Sequence, residues 1–240
     1  MAQYDTIRSV GAGARSAAID EGLRAHMNKV YGLMSAGMAI TGIVAYLVGT
    51  NDALVQAIFG TPLKWVVMFA PIGVILIFGS MLRRMSVGTA QAVFYGFAAL
   101  MGLSISYIFA IYTGISIATT FATTAVAFGG LSLYGYTTKK DLSGFGTFLI
   151  MGVIGLIVAS VVNIFLQSDA ISFAVSALGV LIFAGLTAYD TQNIKNTYIQ
   201  MASQGDSDWL GKAAIMGALN LYMDFLNMFM FLLQFMGNRE

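Results

Sequence analysis

Two aspartates stand where the chain is otherwise apolar. Asp190 lies in Ala188-Tyr189-Asp190-Thr191-Gln192, and Asp224 lies in Leu221-Tyr222-Met223-Asp224-Phe225. The other candidate acids, Asp52, Asp141, Asp169, Asp206 and Asp208, fall between apolar runs. An ionisable group held inside a bilayer is costly, which makes each of the two aspartates a functional candidate. If the helix carrying Asp190 ends near Ile199, Asp190 sits nine residues, roughly 14 Å, from its end. Asp224 sits eleven residues, roughly 17 Å, from Ala213. The two helices share one short connection, so the carboxyls lie at similar depth on antiparallel neighbours and touch if they face each other. Two carboxylates at contact do not both ionise cheaply, so the pair is expected to titrate as a unit. That is the chemistry of a proton sensor, or of a cation site once both protons are gone. The alternative for each is a helix-end residue reaching back to water.

The remaining polar groups are sparse. Arg83 and Arg84 follow the second apolar run, where they either mark the membrane edge or turn inwards to an aspartate. Gln91, Asn163, Asn220, Asn227 and Gln234 read as groups that hydrogen-bond between helices. Gly155 with Ala159 and Ser172 with Ser176 read as close-packing faces, and Tyr31, Tyr46 and Trp65 as interfacial aromatics. The chain has no cysteine and one histidine, His26. Disulfides, thiolate sites and multi-histidine metal sites are thereby excluded. A retinal Schiff base would need a lysine inside the last run, which has none. An intramembrane serine protease would need a buried histidine beside its serine, and a membrane zinc protease several ligands that the chain lacks. An intramembrane aspartyl protease matches only in Tyr189-Asp190; no Gly-x-Gly-Asp accompanies Asp224. No enzyme is expected.

The elements that must position these residues follow from composition. Of 240 residues 58% are hydrophobic and 10% charged, against about 25% charged in soluble domains. Mean hydropathy is +0.80. A soluble globule could not bury so much apolar surface, so the lipid bilayer is the expected partner; a net charge of +1 gives no field for nucleic acid. A span takes about 20 apolar residues, and seven stretches qualify: 29–49, 64–82, 87–111, 115–136, 145–167, 171–195 and 213–236. The expectation is an all-α, polytopic, seven-transmembrane-helix bundle over residues 29–237, preceded by a polar cytoplasmic tail, residues 1–28, read as disordered. The connection around Ser203–Asp208 reads as a soluble turn. Ten of the twelve basic residues (Arg8, Arg15, Arg24, Lys29, Arg83, Arg84, Lys139, Lys140, Lys195, Lys212) fall on the N-terminal side, with Lys64 and Arg239 opposite. Basic loops stay in the cytoplasm, so the N-terminus is expected inside and the C-terminus outside.

At the two aspartates the chain resembles the Bax inhibitor-1 family, which includes bacterial YccA-like and YetJ-like proteins. The resemblance rests on Gly185-Leu-Thr-Ala-Tyr-Asp190-Thr-Gln-Asn-Ile-Lys195 and Leu219-Asn-Leu-Tyr-Met-Asp224-Phe-Leu-Asn-Met-Phe229. Arg83-Arg84 and Lys139-Lys140-Asp141-Leu142-Ser143 fit it too, and it extends over about Lys29 to Gly237. It implies a pH-sensitive calcium leak channel of the inner membrane, with a central last helix and Asp190 and Asp224 as the pH-sensing and cation-binding pair. It further implies a latch arginine at the end of span two. Anchored on Val87-Gly88, that position is Leu82 here, which leaves Arg83 or Arg84 as possible latches; Gln234 stands where some relatives carry a second basic group. No tightly bound cofactor is implied, only transient calcium on Asp190 and Asp224. A second function, from the YccA-like branch, is an interaction protein that binds and modulates a membrane-embedded protease through the tail.

Overall fold

In a computed structural model, the backbone is described for residues 2–202 and 207–238 and the side chains for residues 19–202 and 208–238. Ser203 to Asp206 of the expected turn lie outside the described residues. The described chain is helical throughout, without a strand. The helices are α1 (Ala2–Gly49), α2 (Asp52–Phe59), α3 (Leu63–Met81), α4 (Val87–Ile105), α5 (Gly114–Thr137), α6 (Ser143–Leu166), α7 (Asp169–Ala202) and α8 (Ser207–Met236). Two 3-10 turns extend α3 and α4, at Leu82–Arg84 and Ser106–Ala110. All but α2 contain stretches long and apolar enough to cross a membrane, which gives the seven expected spans among the described residues.

Short polar side chains set several of the helix starts. Asn51 Oδ1 accepts from Leu54 N, Ser86 Oγ from Thr89 N and Thr113 Oγ1 from Ser116 N, each at 3.2 Å. Each satisfies one amide that has no partner in the first turn. At the end of α6, Gln167 adopts a left-handed conformation (φ 50°). Asn163 Oδ1 then accepts from Ser168 N at 3.0 Å.

Helix α8 occupies the centre and packs against α1, α4, α5 and α7. The most apolar window of its span is 61% buried, against 11% for that of α6. Ala214, Ile215, Ala218, Leu221 and Tyr222 on α8 are wholly inaccessible. Two glycines bring neighbouring backbones together. A Cβ at Gly135 of α5 would collide with the Ala188 carbonyl of α7, and one at Gly102 of α4 would lie 2.7 Å from the Thr41 carbonyl oxygen of α1. Such small-residue contacts replace the hydrophobic drive that lipid does not supply.

The expected tail does not end at residue 28. It is the first part of α1, and Leu23, His26 and Met27 are buried against the bundle, the His26 ring 5.0 Å from that of Tyr198. The buried positions 23, 26, 27, 30, 33 and 34 follow helical spacing without a break. Arg24 and Lys29 mask this stripe in a hydropathy reading. Helix α7 likewise continues past Lys195, and α2 is an additional helix between the first two spans. Gly155 has open space where a Cβ would be, so it is not a packing contact; Gly152, against Ile182 at 2.9 Å, is.

Candidate functional site

Asp190 of α7 and Asp224 of α8 face each other, with their carboxyl groups within hydrogen-bonding reach. Asp190 is half-buried, whereas Asp224 is 4% exposed. Asp224 Oδ2 is buried and has no donor among the described groups. Neither carboxylate brings a hydrogen of its own, so contact between them calls for a shared proton or a cation.

Hydroxyls brace the helices around the pair. On α7, Thr187 donates to Phe183 O at 2.8 Å and Thr191 to Thr187 O at 2.7 Å. Thr191 Oγ1 also lies 2.9 Å from Ser132 Oγ on α5, which lies 2.6 Å from the Tyr31 hydroxyl on α1. Tyr31 is therefore part of a chain of hydroxyls leading to the residue after Asp190, not an interfacial anchor. Tyr46 and Trp65 are exposed, as expected of interfacial aromatics. On the other face of α8, the Tyr222 hydroxyl lies 2.7 Å from Thr41 Oγ1, which donates to Ala98 O at 2.8 Å. Phe94 and Phe97 meet the Tyr222 ring at 5.8 Å. These contacts fix the rotation of α8, and Asp224 is turned to α7 by that rotation.

The α5–α6 loop is fastened to α7 close to the pair. Gln192, two residues beyond Asp190, accepts from Leu142 N and donates to Lys140 O, both at 2.8 Å. Lys195 donates to Tyr136 O at 2.7 Å and lies 5.5 Å from the centre of its ring. The loop between α5 and α6 thus reaches α7 about 3 Å along the axis from Asp190, and the last turns of α7 project beyond it. In that loop Asp141 Oδ1 accepts from Ser143 N at 2.9 Å. Hydrogen bonds from the Ser143 side chain and backbone hold this exposed carboxyl below its ordinary pKa.

Two cavities approach the pair along α8 from opposite ends. One, of about 180 Å³, is lined by His26, Leu82, Asn193, Trp209 and Asn220, among others. The other, of about 350 Å³, is lined by Tyr107, Tyr112, Asn227 and Gln234 with apolar neighbours. Asn220 and Asn227 stand four residues before and three after Asp224, about one helical turn on either side. Asn227 Nδ2 donates to Met223 O within its own helix at 2.8 Å, while Asn163 Nδ2 does bridge α6 to α7, through Ser172 Oγ at 2.8 Å.

Neither possible latch reaches the pair in this conformation. With three residues per 3-10 turn, one side chain in the Leu82–Arg84 turn faces inwards and the next two do not. Leu82 takes the inward place at 5% exposure, and Arg83 and Arg84 are both exposed. Among the described residues, no lysine or arginine lies within ion-pair distance of either aspartate. The turn is tied to α8 instead: Lys212 Nζ is 3.5 Å from Arg83 O and 2.8 Å from Asp208 Oδ2. Sequence reasoning passed over Lys212, Gln192 and the Tyr31–Ser132–Thr191 chain; only the polarity of Gln192 and Thr191 beside Asp190 hinted at them.

No group of three or more histidine, cysteine, aspartate or glutamate side chains gathers among the described residues. The oxygens of two aspartates fall short of the six to eight that calcium takes.

Comparison with known proteins finds a match to the family model described as "Inhibitor of apoptosis-promoting Bax1" over residues 23–240. A protein of Caulobacter vibrioides is 48% identical over 243 residues, covering 97% of this chain and 96% of its own length. A protein of Rickettsia prowazekii is 43% identical, covering 98% and 99%. The inner membrane protein YbhL of Escherichia coli K12 is 43% identical over 220 residues, covering 91% and 94%. The matched region begins at Leu23, the first buried side chain among the described residues of α1.

Proposed function

The chain belongs to the Bax inhibitor-1 family, and from that premise we propose that it is a pH-gated calcium leak pathway of the bacterial inner membrane rather than an enzyme. The observation that carries this reading is the contact of Asp190 with Asp224, one oxygen of which is buried without a donor. One shared proton satisfies both carboxyls and holds α7 against α8. Loss of that proton leaves two like charges in a site poor in water, and their repulsion separates the helices. The cavities ending at Asn220 and Asn227 then join through the site. A divalent cation passing between them finds two carboxylates, with carbonyls or water completing its shell, and such a site binds weakly enough to release its ion. Flux therefore rises as pH rises, because the closed form is the protonated one. On separation of the helices, an arginine of the Leu82–Arg84 turn has room to swing towards one free carboxylate. The inner-membrane relative supports that location, and the distribution of basic residues supports a cytoplasmic N-terminus and an external C-terminus.

The test is calcium flux into proteoliposomes across a pH series, in vesicles sorted with a C-terminal reporter that is external in the cell. One proton limits the rise to about tenfold per pH unit. Wild type should show that rise. Asp190→Asn and Asp224→Asn should each flatten the profile, because a neutral amide removes the repulsion. Two single variants that each keep the wild-type profile would sink the shared-proton gate.

A further inference from the structure

Away from the ion path, α1 and α5 enclose a groove of about 550 Å³, open along its side. Met27, Phe128 and Leu133 give it an apolar lining, while Arg24, Asn28 and Tyr136 lie at one end. From Arg24 to Tyr31 and from Phe128 to Tyr136 the two walls run roughly 10–12 Å. Arg24 is exposed, and among the described residues it has no ion-pair partner. The Lys195 ammonium lies 5.5 Å from the Tyr136 ring at the same end. Among the described residues no carboxylate lines the groove. Gly129 forms part of the wall, and a Cβ there would meet nothing within 4 Å. The floor is Ser132, the middle member of the hydroxyl chain from Tyr31 to Thr191.

We propose that this groove is a binding site for one anionic phospholipid of the leaflet at its basic end, with an acyl chain between α1 and α5 and the phosphate on Arg24. The length and apolar lining suit the upper part of a chain, and the side opening faces where lipid lies. A guanidinium pairs with a phosphate through two parallel hydrogen bonds. A zwitterionic headgroup brings its own cation beside Arg24 and Lys195 and is disfavoured. The seated chain rests on Tyr31 and Ser132 and stiffens the hydroxyl chain that ends beside Asp190.

The experiment is native mass spectrometry of the full chain released from bilayers of equal phosphatidylglycerol and phosphatidylcholine. Wild type should retain one phosphatidylglycerol with about a tenfold preference, the scale of one charge-assisted contact. Arg24→Gln should bring the two lipids near parity. Gly129→Leu, whose new side chain points into open space, should shed the retained lipid of either kind. Equal retention of both lipids by wild type, or a preference that survives both variants, would overturn the site as mere annular lipid. Loss of preference in Arg24→Gln with full retention in Gly129→Leu would also overturn it, leaving a phosphate contact without a chain site; competition by soluble glycerol phosphate would confirm that result. Arg24 is exposed, so its variant keeps the test decisive even if Gly129→Leu folds poorly. The readout is lipid retention, and its failure leaves the aspartate gate untouched.

Discussion

Helices α6 and α8 are both long enough to span a bilayer, yet they sit at opposite extremes of the structure. Helix α6 is the more apolar of the two and the more exposed: Phe148, Ile154, Ile157, Ile164 and Phe165 all face outwards. Helix α8 carries Lys212, Asn220, Tyr222, Asp224 and Asn227, and it lies at the centre. In water the order would be reversed. Lipid accepts apolar side chains as readily as protein does, so nothing drives α6 inwards, whereas polar groups lower their cost only by finding partners inside the bundle. Between these two helices burial follows polarity.

The widest separation between the two helices should appear in packing variants. Leu221→Ala on α8 removes a side chain with no accessible surface and should cost about 2–5 kcal/mol. Ile157→Ala on α6, 58% exposed, should cost under about 0.5 kcal/mol. Unfolding in mild detergent measures both, and equal losses would break the comparison. A smaller effect is expected where α8 is held by a hydrogen bond. Tyr222→Phe deletes the contact with Thr41 but leaves Thr41 bonded to Ala98 O, so a loss of about 1 kcal/mol follows. Tyr134→Phe on the exposed side of α5 should be silent in the same assay.

The smallest effect lies at the loop that leads into α6. Asp141 is held below its ordinary pKa of 3.8 by Ser143. A depressed folded-state value means that the bond contributes above the ordinary value and is lost as pH falls through the lowered one. Carboxyl titration by NMR should find Asp141 low in wild type and raised part of the way towards the ordinary value in Ser143→Ala, which loses the hydroxyl but keeps the backbone donor. An unchanged titration would show that the Ser143 contacts do not act on this carboxyl in solution.

Much of the fold was legible because spans are written as unbroken apolar runs. The seven spans, the all-α class and the two intramembrane acids were all plain in the sequence. The first boundary was missed because Arg24 and Lys29 interrupt the hydropathy of a stripe that helical periodicity carries through Leu23 and Met27. Arg83 and Arg84 were legible as charges at a membrane edge, but which residue of their turn faces inwards was not, since three successive side chains of a 3-10 turn differ only in direction. The closeness of the α5–α6 loop to Asp190 was not legible for a related reason. The nearest water-facing segment is the α5–α6 loop, remote in sequence and fastened by Gln192.

Sequence alone determined that this chain lives in lipid, crosses it seven times and carries two acids that need a reason to be there. Those conclusions rest on the cost of moving each side chain between water and hydrocarbon, a property of the residue that needs no neighbour. Tertiary structure alone decided that Asp190 and Asp224 touch, that Leu82 rather than an arginine turns inwards, and that Tyr31 is tied to Ser132. Those outcomes depend on the rotation of each helix about its axis, set by contacts such as Gly135 on Ala188 and Tyr222 on Thr41. Such contacts join residues far apart in the chain, and no local pattern encodes them.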